Sequence, residues 1–274
     1  MSTGERAYLA IDVGASKVLL AAFSLSGEVL HEYKFPTPKD YQKFIKTVAK
    51  YVKDEFGSFN LAVACCAIPG KVDRKRGIGE VFGNLAWRNK HVKADLQKAL
   101  GLGVSIENDA NLAGLYEALS HKKYRKVLYI TLSTGIGDGI IINGKIDSVL
   151  ADSEAGFMLL EHDGKVGTWE DFASGSALKA RYGKLASELD DKSAWQEYAA
   201  AVAAGLKELL AVIQPGVVII GGGVGRHFEK FSGFLEQELA KSASKMVEIP
   251  PIIKAKRPEE AVIYGCYEFI KQNG

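Results

Sequence analysis

The chain has 274 residues, of which 47% are hydrophobic and 25% charged, the composition of an ordinary soluble protein with room for one large or two medium domains. Its 35 basic and 33 acidic residues leave a formal charge of +2. That near balance gives no reason to expect nucleic acid or an anionic membrane as a partner, and the basic stretches KVDRKR and HKKYRK read as solvated surface.

Three cysteines, Cys65, Cys66 and Cys266, are a poor disulfide framework. Two lie in the apolar run LAVACCAIPG and read as buried thiols. No apolar run reaches the ~20 residues a transmembrane helix needs. The start MSTGERAYLAIDVG has no secretory apolar core. A cytoplasmic protein is expected.

Along the chain, 8–13 and 18–23 are apolar runs joined by a tight turn with Gly14, and 29–35 follows Ser26-Gly27 as a third strand. Residues 40–56 place Phe44, Ile45, Val48 and Val52 at helical spacing. A buried strand is predicted at 61–67, a helix at 92–100 ended by Gly101, and a strand at 104–107. Asp109 then caps a helix to about Leu119. The opening recurs: strands at 127–132, 139–142 and 145–149, with Asn143-Gly144 as a hairpin turn. A helix over about 193–213, a buried strand at 217–220, Gly221-Gly222-Gly223 and a further helix follow. The last helix covers about 258–271. A repeat of this kind fits two similar α/β lobes facing a cleft.

Four stretches carry chemistry. Asp12-Val13-Gly14-Ala15-Ser16-Lys17 joins two strands. Its backbone N–H groups, Ser16 and Lys17 suit a phosphate and Asp12 suits a metal ion; a plain hairpin turn fits the residues equally well. The spacing is not that of a Walker loop. Ser133-Thr134-Gly135-Ile136-Gly137 offers a second backbone approach to phosphate, and Gly222 and Gly223 a third turn that admits an adenosine or merely links strand to helix. In Ile106-Glu107-Asn108-Asp109-Ala110-Asn111, Asp109 reads either as a helix cap or as a general base, and Asn108 as a donor and acceptor for a sugar hydroxyl.

Together these stretches resemble the ROK family of sugar kinases and sugar-responsive repressors, in the actin-like ATPase superfamily, over nearly the whole chain. AIDVGASK is similar to the family's first phosphate motif, with Ser for Thr. AIPGKVD and GNLAW resemble two sugar-side loops. IENDAN is the most specific match, LSTGIGDGI resembles the second phosphate motif, and IQPGVVIIGGGV the adenosine motif. EAGFMLLEHDG and WEDFASG resemble the stretch bearing the sugar-contacting glutamates.

The resemblance implies an α/β, two-lobed actin-like ATPase (ribonuclease H-like) fold with an interlobe cleft. The N-terminal lobe would be 1–108, completed by 258–274, and the C-terminal lobe 109–257. It implies phosphoryl transfer from ATP with Mg²⁺ to a hexose, glucose first. Asp109 would be the base, and Gly70, Asn84, Asn108, Glu154 and Glu170 sugar contacts. Asp12, Gly14, Ser16, Lys17, Thr134, Gly135 and Gly137 would line the phosphates, with Asp12 on the metal, and Gly222 and Gly223 the adenosine. Kinases of N-acetylmannosamine or other hexoses, a polyphosphate donor, and a non-catalytic sugar sensor are the alternatives.

Two departures bear on this. Many family members carry a histidine after EAG and then a cysteine cluster that binds zinc. Here Phe157 holds the histidine position and KVGTWE has no cysteine, so no structural zinc is expected and one sugar contact is lost. His162, five residues on, is the candidate substitute. Family repressors have a DNA-binding module before the sugar-binding body. The phosphate motif here begins near Leu9, so a repressor is not expected. The resemblance allows a homodimer, for which the sequence shows no interface stripe.

Overall fold

The computed structural model describes residues 4–273. Its elements in chain order are β1 (Arg6–Val13), β2 (Lys17–Ser24), β3 (Val29–Pro36), α1 (Tyr41–Phe56), β4 (Asn60–Ile68), β5 (Val72–Asp73), β6 (Ile78–Phe82), β7 (Leu85–Lys90), α2 (Val92–Leu100), β8 (Gly103–Asn108) and α3 (Asp109–Leu119). They continue with β9 (Lys126–Leu132), β10 (Ile136–Ile142), β11 (Lys145–Ile146), β12 (Leu159–His162), β13 (Lys165–Thr168), α4 (Trp169–Ala173), α5 (Gly175–Tyr182) and α6 (Lys192–Ile213). The last are β14 (Val217–Gly221), α7 (Gly222–Gly225), α8 (Ser232–Ala240), β15 (Ile252–Lys254) and α9 (Ala261–Asn273).

The chain forms two compact units. One holds the residues up to Tyr116 together with those from Val262 onward; the other holds Glu117–Ala261. Each is built on a five-stranded sheet, ordered β3-β2-β1-β4-β8 in the first and β11-β10-β9-β14-β15 in the second. In both, an antiparallel hairpin (β1 with β2, β9 with β10) continues into two parallel strands. The repeat seen in the apolar pattern is therefore a repeat of topology.

In the first unit, Asp40 caps α1 by accepting the Lys43 N–H at 2.7 Å. Phe44, Ile45, Val48, Val52 and Phe56 are buried along one face of α1, in the same apolar cluster as Leu9, Ile11 and Leu20. Cys65, Cys66 and Cys266 are free thiols buried in this unit. Helix α9 packs closely enough on α3 that a Cβ at Gly265 would lie 2.0 Å from the Leu112 carbonyl oxygen.

The second unit centres on Trp169, Trp195, Tyr198 and α6. Trp169 is fully buried and donates its indole N–H to the Ala201 carbonyl at 3.1 Å. A Cβ at Gly205 of α6 would lie 2.3 Å from the Trp169 ring. This close approach fixes the start of α4, and with it Glu170.

Several elements differ from the sequence expectation. The three-stranded β5-β6-β7 sheet and the β12-β13 hairpin were not foreseen, because strands of two to six residues with glycines and charges show no alternation. The third strand of the second unit stops at Ile146 rather than 149, where Asp147 Oδ1 accepts the Val149 and Leu150 N–H groups and turns the chain. The helix after the glycine triplet is only Gly222–Gly225, and α9 starts at Ala261 instead of 258.

Replacing Gly205 by Ala is expected to lower stability by about 2 kcal/mol, because the added methyl displaces Trp169. Helix propensity alone would raise stability by about 1 kcal/mol. A urea midpoint that falls supports the Trp169 contact; one that rises contradicts it.

Candidate active site

In the first unit the site is built at the carboxyl ends of parallel strands, where α/β sheets place ligands. Asp12 of β1 pairs in register with Ala67 of β4, and Ala67 with Glu107 of β8. Asp12 keeps partial contact with solvent. Protein packed around its carboxyl raises it to about 6, with Lys17 opposing the shift. Asp109 lies one step past the end of β8. Burial, and then the Asp12 charge, raise it to about 7, against the pull of the Ala110 N–H, which donates to Oδ1 at 2.8 Å. Burial thus raises both carboxylates, at the ends of two strands flanking β4, and the Asp12 charge adds to the shift of Asp109.

Asp109 is the first residue of α3 and not its cap. The cap is Asn108, whose Oδ1 accepts the Asn111 N–H at 3.0 Å. This corrects the sequence reading. Asp and Asn are both good caps, and adjacent residues cannot be separated by preference alone. With the capping role taken by Asn108, the Asp109 side chain is met by the Ala110 N–H and its own backbone N–H. Asn108 also donates Nδ2 to the Gly70 carbonyl at 3.0 Å.

Gly70 adopts φ +85°, and a Cβ there would sit 2.7 Å from the Val81 carbonyl oxygen and 3.1 Å from the Gly83 nitrogen. That fit brings the Gly83-Asn84 turn between β6 and β7 against the Gly70 loop, with Asn84 exposed. Gly70, Asn84, Asn108, Asp109 and Asp12 therefore belong to one region of one unit. The first glycine turn is closed by the Gly14 N–H on Lys17 O at 3.0 Å, and Thr37 braces it from β3's end, donating Oγ1 to Gly14 O at 2.7 Å. Ser16 and Lys17 are exposed.

Two supporting residues escaped sequence reasoning. Glu107, 2% exposed, accepts Arg74 Nε at 2.7 Å and Nη2 at 2.5 Å, the Asn108 N–H at 2.7 Å and Asn111 Nδ2 at 3.2 Å. This pair sets the backbone that carries Asn108 and Asp109. Arg74 was read as part of a solvated basic run. A buried strand carboxylate needs a partner, and that need was the available signal. Lys126, in the other basic run, likewise turns inward and donates to the Ile213 carbonyl at 2.6 Å.

In the second unit, the Ser133-Thr134-Gly135 turn is held by α5 and α4. Gly175 N–H donates to Ser133 O at 2.6 Å, and Ile136 N–H to Glu170 Oε2 at 3.2 Å. A Cβ on Gly135 would lie 2.7 Å from that Glu170 oxygen. Gly137 is not in the turn but in β10, opposite Thr131. Gly222 has φ +85° and would place a Cβ 2.4 Å from Leu132 O, whereas Gly223 faces open space.

A pocket of about 530 Å³ joins Thr134 and Gly223 to Ser176 and Lys179 of α5, and to Arg226 and His227. Burial, then the Lys230, Arg226 and Lys254 charges, push His227 down. Lys179 and Arg226 bring positive charge to this pocket, and Glu259, which also lines it, accepts Arg226 Nη1 at 2.8 Å.

Glu154 precedes a 3-10 turn, Ala155–Phe157, on which Phe157 is 60% exposed. His162 stacks on Phe172 at 4.7 Å and lies 3.4 Å from Asp163 through Nε2. Among the described residues, no three His, Cys, Asp or Glu side chains form a metal-holding group. No described helix is long and apolar enough to cross a membrane.

Two five-stranded sheets of one order with glycine turns at strand ends are those of the α/β actin-like ATPase fold. The sequence profile of the ROK family matches residues 8–273, and the chain belongs to that family. It is 27% identical to an N-acetyl-D-glucosamine kinase of Haemophilus influenzae, covering 94% of this chain and 97% of that one. It is also 27% identical to a glucokinase of Streptomyces coelicolor, over 79% of this chain and 81% of that one. The fold superposes on a ROK family glucokinase from Streptomyces griseus, solved with glucose and AMPPNP, at a TM-score of 0.81 and 23% identity, covering 97% and 99% of the two chains. The protein is a sugar kinase with a small-molecule sugar as substrate.

Because the raised Asp109 holds a proton that the unfolded chain releases, stability falls as pH rises from about 4 to about 7 and is lowest above that window. Asp109→Asn removes the penalty. Its melting temperature should exceed that of the unaltered protein by about 3 °C or more at pH 8 and by less at pH 5. Equal differences at both pH values, read by calorimetry, would contradict the raised carboxyl.

Proposed function

We propose that the protein transfers the γ-phosphoryl group of ATP to the 6-hydroxyl of a hexose, glucose first, with Asp109 as the general base. The observation that carries this reading is the Asp109 carboxyl, raised to about 7 beside Asp12 and placed where Asn108 and Gly70 meet. A base of that strength is half-ionised at neutral pH and takes a proton more readily than an ordinary carboxylate.

Within the first unit the reading assigns acceptor binding to Gly70, Asn84 and Asn108; for Glu154 and Glu170, each taken within the second unit, it keeps the role of sugar contacts that the family resemblance implies. Asn108 has committed one amide hydrogen and one oxygen lone pair to Gly70 and Asn111, which leaves one donor and one acceptor for a sugar hydroxyl. The hydroxyl proton passes to the Asp109 carboxylate, the oxygen bonds to the γ-phosphorus, and the bond to the β–γ bridging oxygen breaks to release ADP. The reading gives phosphate contacts to Gly14, Ser16 and Lys17 in the first unit and to the Thr134-Gly135 turn, continued by Gly137 of β10, in the second, with Gly222 and Gly223 for the adenosine. Lys179, Arg226 and His227 join them on the strength of the 530 Å³ pocket.

Mg²⁺ fits Asp12, because the carboxylate ends a strand, keeps access to solvent and accepts no hydrogen bond from the described residues. When bound, the ion supplies charge neutralisation at the phosphates.

A second reading keeps the reaction and changes the acceptor to an N-acetylhexosamine. It is favoured by the exposed Phe157, an apolar surface beside Glu154, and by the likeness to an N-acetylglucosamine kinase. A polyphosphate donor and a non-catalytic sensor are less well supported. The near-balanced charge offers no track for a long polyanion, and Asp12, Lys17, Asn108, Asp109, Glu154 and Glu170 are all present.

Coupled ADP release across glucose, mannose, N-acetylglucosamine and N-acetylmannosamine, with ATP or polyphosphate as donor, ranks these readings. Asp109→Asn should lower kcat by about 1,000-fold or more while the sugar Kd changes less than about fivefold. For the unaltered enzyme, kcat/KM should rise with pH to a midpoint near 7, as Asp109 ionises. Turnover by Asp109→Asn within about tenfold of the unaltered enzyme overturns the assignment.

A further inference from the structure

The strand that leaves the second glycine turn carries Asp138, a buried acid that no step above uses. It is 4% exposed, in β10 opposite Ile130. Its Oδ1 accepts the Ala155 N–H at 2.8 Å. Oδ2 is sealed from solvent and forms no hydrogen bond with the described residues. Burial pushes the carboxyl up, and the Ala155 N–H is the larger of the contributions that offset this. A buried oxygen without a hydrogen bond costs about 1–3 kcal/mol. A small apolar residue would avoid that cost, so the position of Asp138 calls for a reason beyond stability.

The reason lies in what Ala155 belongs to. Ala155 opens the 3-10 turn that follows Glu154, closed by the Phe157 N–H on Glu154 O at 3.0 Å and the Met158 N–H on Ala155 O at 3.1 Å. The next residue, Gly156, packs so tightly on β10 that a Cβ would lie 2.3 Å from the Ile136 carbonyl oxygen. The turn is thus fastened to β10 twice, at Ile136 through Gly156 and at Asp138 through Ala155. The Ile136 N–H is held in turn by Glu170. Glu154, Glu170 and the glycine turn therefore share one reference strand within the second unit.

We propose that Asp138 is a positioning residue for the acceptor sugar: its carboxyl fixes the Glu154 turn relative to the Ser133–Gly135 turn. The inference rests on the reading of Glu154 as a sugar contact. It differs from a purely structural role in what it does to the two substrates. Loosening the Glu154 turn should weaken sugar binding and leave the nucleotide pocket, lined by Thr134, Ser176 and Gly223, as it was.

The test compares Asp138→Asn and Asp138→Ala with the unaltered protein. Glucose and N-acetylglucosamine binding are measured by calorimetry, ATP binding likewise, and exchange of the Ala155 amide by NMR. Asn keeps an oxygen for the Ala155 N–H, so sugar Kd should stay within about threefold. Ala removes it, so sugar Kd should rise about tenfold or more with ATP Kd within about twofold, and the Ala155 amide should exchange at least tenfold faster. If the Ala variant does not fold, Asp138→Ser, which is too short to reach Ala155, takes its place with the same expectations. Sugar Kd within twofold in the Ala or Ser variant overturns the inference, as does an equal rise in both Kd values. Failure of the underlying reading looks different: Glu154→Gln then leaves the sugar Kd within about twofold, or the unaltered protein binds neither sugar.

Discussion

The constraint on which the account turns is the presence of two carboxylates, Asp12 and Asp109, at the ends of the strands either side of β4, with little to neutralise them. Asp12 has only Lys17 opposing its shift, and Asp109 only the Ala110 N–H and its own backbone N–H. A structure selected for stability alone would pair them. The chain instead pairs the acid two residues earlier, Glu107, with Arg74 and two further donors. Two acids in one short segment are given opposite treatments. Glu107 is satisfied and fixes the backbone, while Asp109 is left to respond to what binds.

The same division of labour recurs in the second unit. There the turn that suits phosphate is shaped by close approaches that only glycine permits. Gly135 lies against Glu170, Gly156 against Ile136, and Gly222 against Leu132. Side chains with special chemistry stand beside these contacts, and the contacts define their places to within the tolerance of a van der Waals gap. Trp169, pressed on Gly205, extends this to Glu170. In such an enzyme the protein contributes position and charge, because phosphoryl transfer needs little covalent help.

Much of this was legible in the sequence. The repeat of strand–turn–strand openings showed as repeated apolar runs, and both sheets have the order such a repeat requires. IENDAN placed the acid and the amide together because they are neighbours in the chain. What the sequence concealed are pairings between distant residues: Arg74 with Glu107, Glu170 with Ile136, Asp138 with Ala155. Periodicity says which side of a strand is buried but not which backbone amide a buried carboxyl will find. The cap of α3 was misplaced by one residue for a related reason, since Asn108 and Asp109 have equal preferences and only the Asn111 hydrogen bond separates them. The β12-β13 hairpin, with Lys165 and Gly167 among its eight strand residues, gave no apolar signal at all.

The central claim is that Asp109 titrates near neutrality because of burial and the Asp12 charge. It is most directly tested by following the Asp109 carboxyl carbon by ¹³C NMR from pH 4 to 9, in the unaltered protein and in Asp12→Asn. The account expects a midpoint near 7 that moves clearly downward once the Asp12 charge is removed. A midpoint near 4 in the unaltered protein, or one that Asp12→Asn leaves in place, would contradict it.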